Sequence, residues 1–119
     1  MNFLFIADPL DTFKIYKDST FVMMTELQRR GHTVSAALVE DMAWRSGGKV
    51  TAQVRHIRLT GDTQRWYEVT GEEILPLHQF DAVLMREDPP FDSEFFYATH
   101  LLQQAEREGA RVFNSPQAL

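Results

Sequence analysis

The sequence contains no cysteine, which excludes a disulfide framework and thiolate chemistry on this chain. That absence fits a reducing compartment. Basic charge is scarce too. Twelve lysines and arginines face seventeen aspartates and glutamates, for a formal net charge of −5. This balance argues against a nucleic-acid footprint and against binding to an anionic membrane, both of which want a basic patch. No apolar run approaches membrane-spanning length. The opening "MNFLFIADP" has no basic region, and its apolar run stops at Asp8. Neither G-x-G-x-x-G nor G-x-x-x-x-G-K-[ST] occurs, so the usual phosphate cradles are missing. The four histidines, His32, His56, His78 and His100, show no paired metal-ligand spacing. Ser19 and Ser93 have no evident histidine partner, which gives a hydrolase triad little support. These absences point to a soluble, intracellular domain.

What is present reads as one domain. The 119 residues are 44% apolar, enough to bury a core without staples. "FLFIA", Phe3 to Ala7, is a continuous apolar run ended by Asp-Pro. It has the pattern of a strand buried on both faces. "KDSTFVMMTELQRRGH" is an amphipathic helix with Phe21, Met24, Leu27 and Gln28 on one stripe. Asp18 or Ser19 can cap it and Gly31 can close it. "TVSAALV", Thr33 to Val39, is a second strand. The resulting β–α–β order implies a right-handed crossover and a parallel sheet.

The middle of the chain differs. "KVTAQVRHIRLT" alternates, with Val50, Ala52 and Val54 on one face and Ile57 and Leu59 on the other. The phase slips near His56, which predicts a bulge or twist. "RWYEVT" follows, and the two segments predict an antiparallel hairpin after the hinge-like Gly47-Gly48. Trp66 and Tyr67 on it serve sheet packing or an interface. "DAVLMR" is another buried strand. A helix runs from an Asp92 cap to about Glu108, with Phe95, Ala98, Leu102 and Ala105 on one stripe, and Gly109 closes it. "RVFN" is a last short strand before Ser115-Pro116. The predicted fold is a Rossmann-like α/β domain: an open, mostly parallel sheet flanked by helices, with an inserted β-hairpin.

In open α/β sheets, ligands bind outside the carboxyl ends of the strands. The loops "DPLDTFKIYKDST", "REDPPFD" and "NSPQ" all follow strands and should meet there. The first two lead into helix N-termini, where free N–H groups favour anions. Asp18 and Asp92 also serve simply as caps. Arg86 serves either as a structural ion-pair partner of Asp8, Glu87 or Asp88, or as a substrate contact. The residues alone stop short of a reaction.

Two segments together carry a family likeness that spans essentially the whole chain, more loosely through the hairpin. "DPLDTFKIYKDSTFVMMTELQRRGH" resembles the opening of bacterial glutathione synthetases. "LMREDPPFDSEFFYATHLLQQAEREGARVFNSPQAL" is similar to that family's L-M-R-K-D-P-P-F-D run, its Y-A-T and its N-x-P-Q. The resemblance implies the N-terminal, pre-ATP-grasp domain of an ATP-dependent carbon–nitrogen ligase. Such enzymes join γ-glutamylcysteine to glycine through an acyl phosphate, using ATP and Mg²⁺. It further implies that the ATP-grasp domain, which binds both the nucleotide and the metal, is absent from this chain, and that residues 1–119 alone are inactive. A cytoplasmic homo-oligomer is implied as well.

Carried over residue by residue, the substrate-binding candidates are Arg86, Asp88, Asp8, Lys17, Ser19, Asp92 and Asn114. No catalytic or metal-binding residue is expected here. Arg86 is the candidate carboxylate clamp, since a guanidinium can grip a carboxylate with two bonds. Asp8, Asp88 and Asp92 are candidates to hold an ammonium, orient Arg86 or cap. The proline pair would fix the loop and lower the entropy of ordering it. Glu87 departs from the family's lysine. Two other readings stay open: a non-catalytic α/β binding or oligomerisation module, and a related ATP-grasp ligase with another amino-acid substrate.

Overall fold

Leu4, Phe5 and Ile6 are completely buried, so the first strand is covered on both faces as its unbroken apolar run predicts. The computed structural model describes residues 1–15, 18–45, 47–86 and 93–113. Its strands are β1 (Asn2–Ile6), β2 (Thr33–Ala37), β3 (Met42–Ala43), β4 (Thr51–Leu59), β5 (Tyr67–Pro76), β6 (Ala82–Met85) and β7 (Val112–Phe113). Its helices are α1 (Ser19–Arg29) and α2 (Ser93–Arg107).

The strands form one seven-stranded sheet in the order β3-β4-β2-β1-β6-β7, with β5 on β4. β1 lies between β2 and β6 and is parallel to both; β7 is parallel to β6. β4 runs antiparallel to β2, β3 and β5. Only β4 therefore opposes the common direction, and the sheet is mostly parallel, with the inserted hairpin as predicted. β5 covers β4 along its whole length, so β2 and β3 share the other edge of β4.

The phase slip at His56 is a bulge. The β4–β5 register shifts between His56 and Ile57, leaving Thr70 as the extra residue, and its hydroxyl donates to the His56 carbonyl at 3.2 Å. Hence Ala52 and Val54 join one core layer while Ile57 and Leu59 join the other.

α1 starts where the sequence places its cap. Asp18 Oδ1 accepts the Thr20 N–H at 2.8 Å and the Phe21 N–H at 3.3 Å. Both helices close with the same paired-bond ending. Gly31 N–H reaches Gln28 O and His32 N–H reaches Leu27 O; Gly109 N–H reaches Glu106 O and Ala110 N–H reaches Ala105 O. Gly31 and Gly109 take φ of +85° and +105°, the left-handed turn that such an ending needs.

Two apolar layers sandwich the sheet. Leu4, Ile6 and Val83 pack with Ala98, Leu101, Leu102 and Ala105 of α2. Phe5, Val34, Ala36 and Leu84 pack with Met24 of α1 and with Trp66. α1 and α2 therefore lie on opposite faces. Gln28 of α1 ties this frame to the hairpin: its side-chain amide donates to Leu59 O at 3.0 Å and accepts from Leu59 N at 2.7 Å. A side chain thus takes the place of a strand partner at the end of β4.

One sequence expectation needs correction. Of "RWYEVT" only Tyr67 to Thr70 lie in β5, which runs on through Glu72, Glu73 and Ile74 to Pro76. Its polar residues mark a half-exposed edge strand, where charge and proline discourage further pairing. Of the two readings for Trp66, packing is the one its surroundings support. The residue is only 6% exposed, stacked on Phe13 and edge-on to Phe21.

Candidate functional site

Arg86 stands at the carboxyl edge of the parallel strands. Its backbone N–H donates to Ile6 O at 2.7 Å, so the β1–β6 ladder extends to the arginine itself. From there the half-buried side chain crosses to the first turn of α1. Nε donates to Thr20 Oγ1 at 3.1 Å, and Nη2 donates to Ser19 Oγ at 2.7 Å. Thr20 is buried, at 4% exposure, while Ser19 is exposed.

The local sequence explains the meeting. β1 feeds α1 through one connection, and β6 lies beside β1, so the residue after β6 faces the start of the helix that follows β1. Asp18, Ser19 and Thr20 supply a carboxylate and two hydroxyls in succession. The carboxylate caps the helix and offsets the positive end of its dipole beside a guanidinium. The hydroxyls receive the guanidinium. A hydroxyl acceptor orients a guanidinium without neutralising it, so these bonds leave Arg86 a full cation. They use the Nε–Nη2 edge; the second two-donor edge, Nη1 with Nη2, is not used by them. That edge has the fork geometry that matches a carboxylate.

Of the predicted site residues, the structure brings Arg86 and Ser19 together. Asp8 is half-buried just past the end of β1. Lys17, Asp88, Asp92 and Asn114 lie outside the described residues, as does Glu87. Asp18 is the helix cap. Thr20 is not among the predicted site residues, although it lies beside Ser19 in the "KDSTF" stretch that resembles the family's opening.

A second constellation is equally silent in the sequence. Ser35 Oγ and His56 Nδ1 are 2.6 Å apart, and His56 Nε2 lies 2.6 Å from Glu73 Oε2. The order of groups mimics a hydrolase triad. However, Ser35 is 1% exposed in the middle of β2, so its hydroxyl cannot be approached by a substrate. The trio joins β2, β4 and β5 across the sheet. Trp66 and Phe13, stacked on one another, likewise belong to the frame.

The described residues also line open clefts away from Arg86. One of about 720 Å³ runs between α1 and β7, lined by Phe3, Met23, Leu27, Leu84 and Phe113. Its charged rim residues, Glu26 and Arg30, are already paired at 2.8 Å. It offers apolar area and little chemistry. Among the described residues no group of three or more His, Cys, Asp or Glu side chains could hold a metal ion. No described helix is long and apolar enough to cross a membrane.

Residues 1–119 match the family "prokaryotic glutathione synthetase, N-terminal domain". The chain belongs to this family. Its relatives include the glutathione synthetase of Ralstonia nicotianae, 52% identical over 119 residues, covering 100% of this chain and 36% of the relative. That of Vibrio parahaemolyticus is 43% identical over 114 residues, 96% of this chain and 36% of the relative. That of Bordetella pertussis is 47% identical over 124 residues, 100% of this chain and 39% of the relative. The chain therefore spans well under half the length of these glutathione synthetases. The glutathione synthetase resemblance carried by "MREDPPFD" and "NSPQ" is correct at the level of family and domain.

Proposed function

We propose that this chain is the substrate-binding and assembly domain of a glutathione synthetase, a ligase that joins γ-glutamylcysteine to glycine at the expense of ATP. The match of the entire chain to the N-terminal domain of that family carries the reading. The position of Arg86 at the strands' carboxyl edge supports it.

The role proposed for this domain is recognition. Arg86 grips a carboxylate of the dipeptide, with its orientation set by the α1 hydroxyls. Asp8, just past the end of the adjacent strand, is proposed to hold an ammonium, to orient Arg86 or to cap. Lys17, Ser19, Asp88, Asp92 and Asn114 complete the proposed binding set. ATP cleavage, assisted by Mg²⁺, would supply the driving force for such a ligation, but the donor set here does not fit either group. There is no glycine-rich phosphate loop in the sequence and no metal-holding cluster among the described residues. Both are assigned to the ATP-grasp domain. The reading carries a cytoplasmic location and a homo-oligomeric enzyme.

The test is phosphate release from Mg-ATP by the full-length gene product. It should require both γ-glutamylcysteine and glycine and should yield the tripeptide. Equal turnover with a different amino acid in place of glycine would favour the related-ligase reading. No turnover with any acceptor would favour the non-catalytic module.

A further inference from the structure

We infer that Thr20 is a positioning residue, one that fixes the guanidinium plane of Arg86 so that its second two-donor edge is presented to a substrate carboxylate. The inference rests on the clamp role proposed above for Arg86. An arginine side chain has several rotatable bonds, and a two-pronged contact needs one orientation of the planar fork. Two acceptors on a rigid element provide it. Thr20 takes Nε and Ser19 takes Nη2, which fixes two points on one edge of the plane and hence the direction of the other.

Thr20 is the stiffer of the two supports. It is buried on the first turn of a helix, its N–H is held by the Asp18 cap at 2.8 Å, and its β-branch restricts χ1. Ser19 is exposed and less constrained. Both acceptors are hydroxyls, so they set direction while leaving the charge for the ligand. A carboxylate at Thr20 would orient the fork equally well but would spend that charge.

The experiment uses the full-length enzyme, with KM for the dipeptide, KM for ATP, kcat and Tm measured on each preparation. Thr20→Val keeps the side-chain shape and removes the acceptor. It should raise the dipeptide KM about tenfold, with kcat and the ATP KM nearly unchanged. Thr20→Ser keeps the acceptor and should restore the wild-type KM. In an Arg86→Ala background, Thr20→Val should add nothing, since the group it positions is gone. Ser19→Ala should raise the same KM less and, like Thr20→Val, add nothing in an Arg86→Ala background, which separates support of the guanidinium from a direct substrate contact and gives a second reading if Thr20→Val folds poorly. An unchanged dipeptide KM in both hydroxyl variants, with a damaged Arg86→Ala, would overturn the positioning role and leave the clamp standing. An equal Thr20→Val effect with and without Arg86 would also overturn it. Wild-type kinetics in Arg86→Ala would overturn the clamp itself.

Discussion

The indole of Trp66 lies over the ring of Phe13, with centroids 5.4 Å apart and planes 19° apart. Phe21 meets the same indole edge-on at 5.3 Å. The hairpin, the β1–α1 loop and α1 are thus closed over one another by aromatic rings. This makes Trp66 a core residue. Trp66→Ala should cost about 3–5 kcal/mol in denaturant unfolding. Its sedimentation behaviour, once folded, should match wild type. A variant that unfolds at the wild-type midpoint but dissociates would return Trp66 to an interface.

Val50 and Glu108 are 58 residues apart in sequence and joined by one bond, from the Val50 N–H to Glu108 Oε1 at 2.8 Å. Gln104 donates to the other oxygen at 3.1 Å. Burial pushes the Glu108 carboxyl upward, but the Val50 amide and Gln104 outweigh it and hold it below the usual range. Val50 is fully buried, so Glu108→Ala leaves its N–H without this acceptor. We expect a loss of about 1–3 kcal/mol, read as a lower urea midpoint with unchanged m-value. An unchanged midpoint would mean that water replaces the carboxylate without penalty.

The frame was legible in the sequence because its signals are local. Asp18 before a hydroxyl pair marks a cap, and the lost alternation at His56 marks a bulge within the strand that carries it. What stayed hidden depends on distant partners. β3 is two residues long and exists only because β4 offers an edge. The end of β5 reads as a polar loop, since "GEE" has no apolar stripe to declare a strand. Packing and an interface both stayed open for Trp66 because its covering rings come from residues 13 and 21. Likewise Arg86 could be placed at the strand end, but its hydroxyl acceptors are 66 and 67 residues away and form no motif with it.

Glu26 is held from 4.5 down to about 2 by hydrogen bonds from Arg29 and then Arg30. A carboxylate whose folded value is depressed adds stability that is complete above its unfolded value and lost as pH falls through the folded one. The contribution should therefore fade between pH 4.5 and about 2. Glu26→Gln should flatten the fall of the urea midpoint across that window. In ~1 M salt the two proteins should converge, because the group is exposed and screened. Parallel midpoint–pH curves at low salt would show that the three side chains add nothing.

Calorimetric titration of residues 1–119 with Mg-ATP should show no binding tighter than the millimolar range. The sequence has no phosphate loop, and the described residues contain no metal-holding cluster. Micromolar binding would place the nucleotide on this domain and overturn its assignment to the other.

The central claim is that Arg86 holds a carboxylate of the dipeptide. The direct measurement is kcat/KM for γ-glutamylcysteine in full-length Arg86→Ala, with Tm and the ATP KM taken on the same preparation. A lost charge-assisted contact contributes roughly 1.5–3 kcal/mol. The value should therefore fall about ten- to a hundredfold, with the ATP KM nearly unmoved and Arg86→Lys rescuing poorly for want of a planar fork. A Tm lowered by several degrees with unchanged dipeptide kinetics would contradict the claim and leave Arg86 as a brace between β6 and α1.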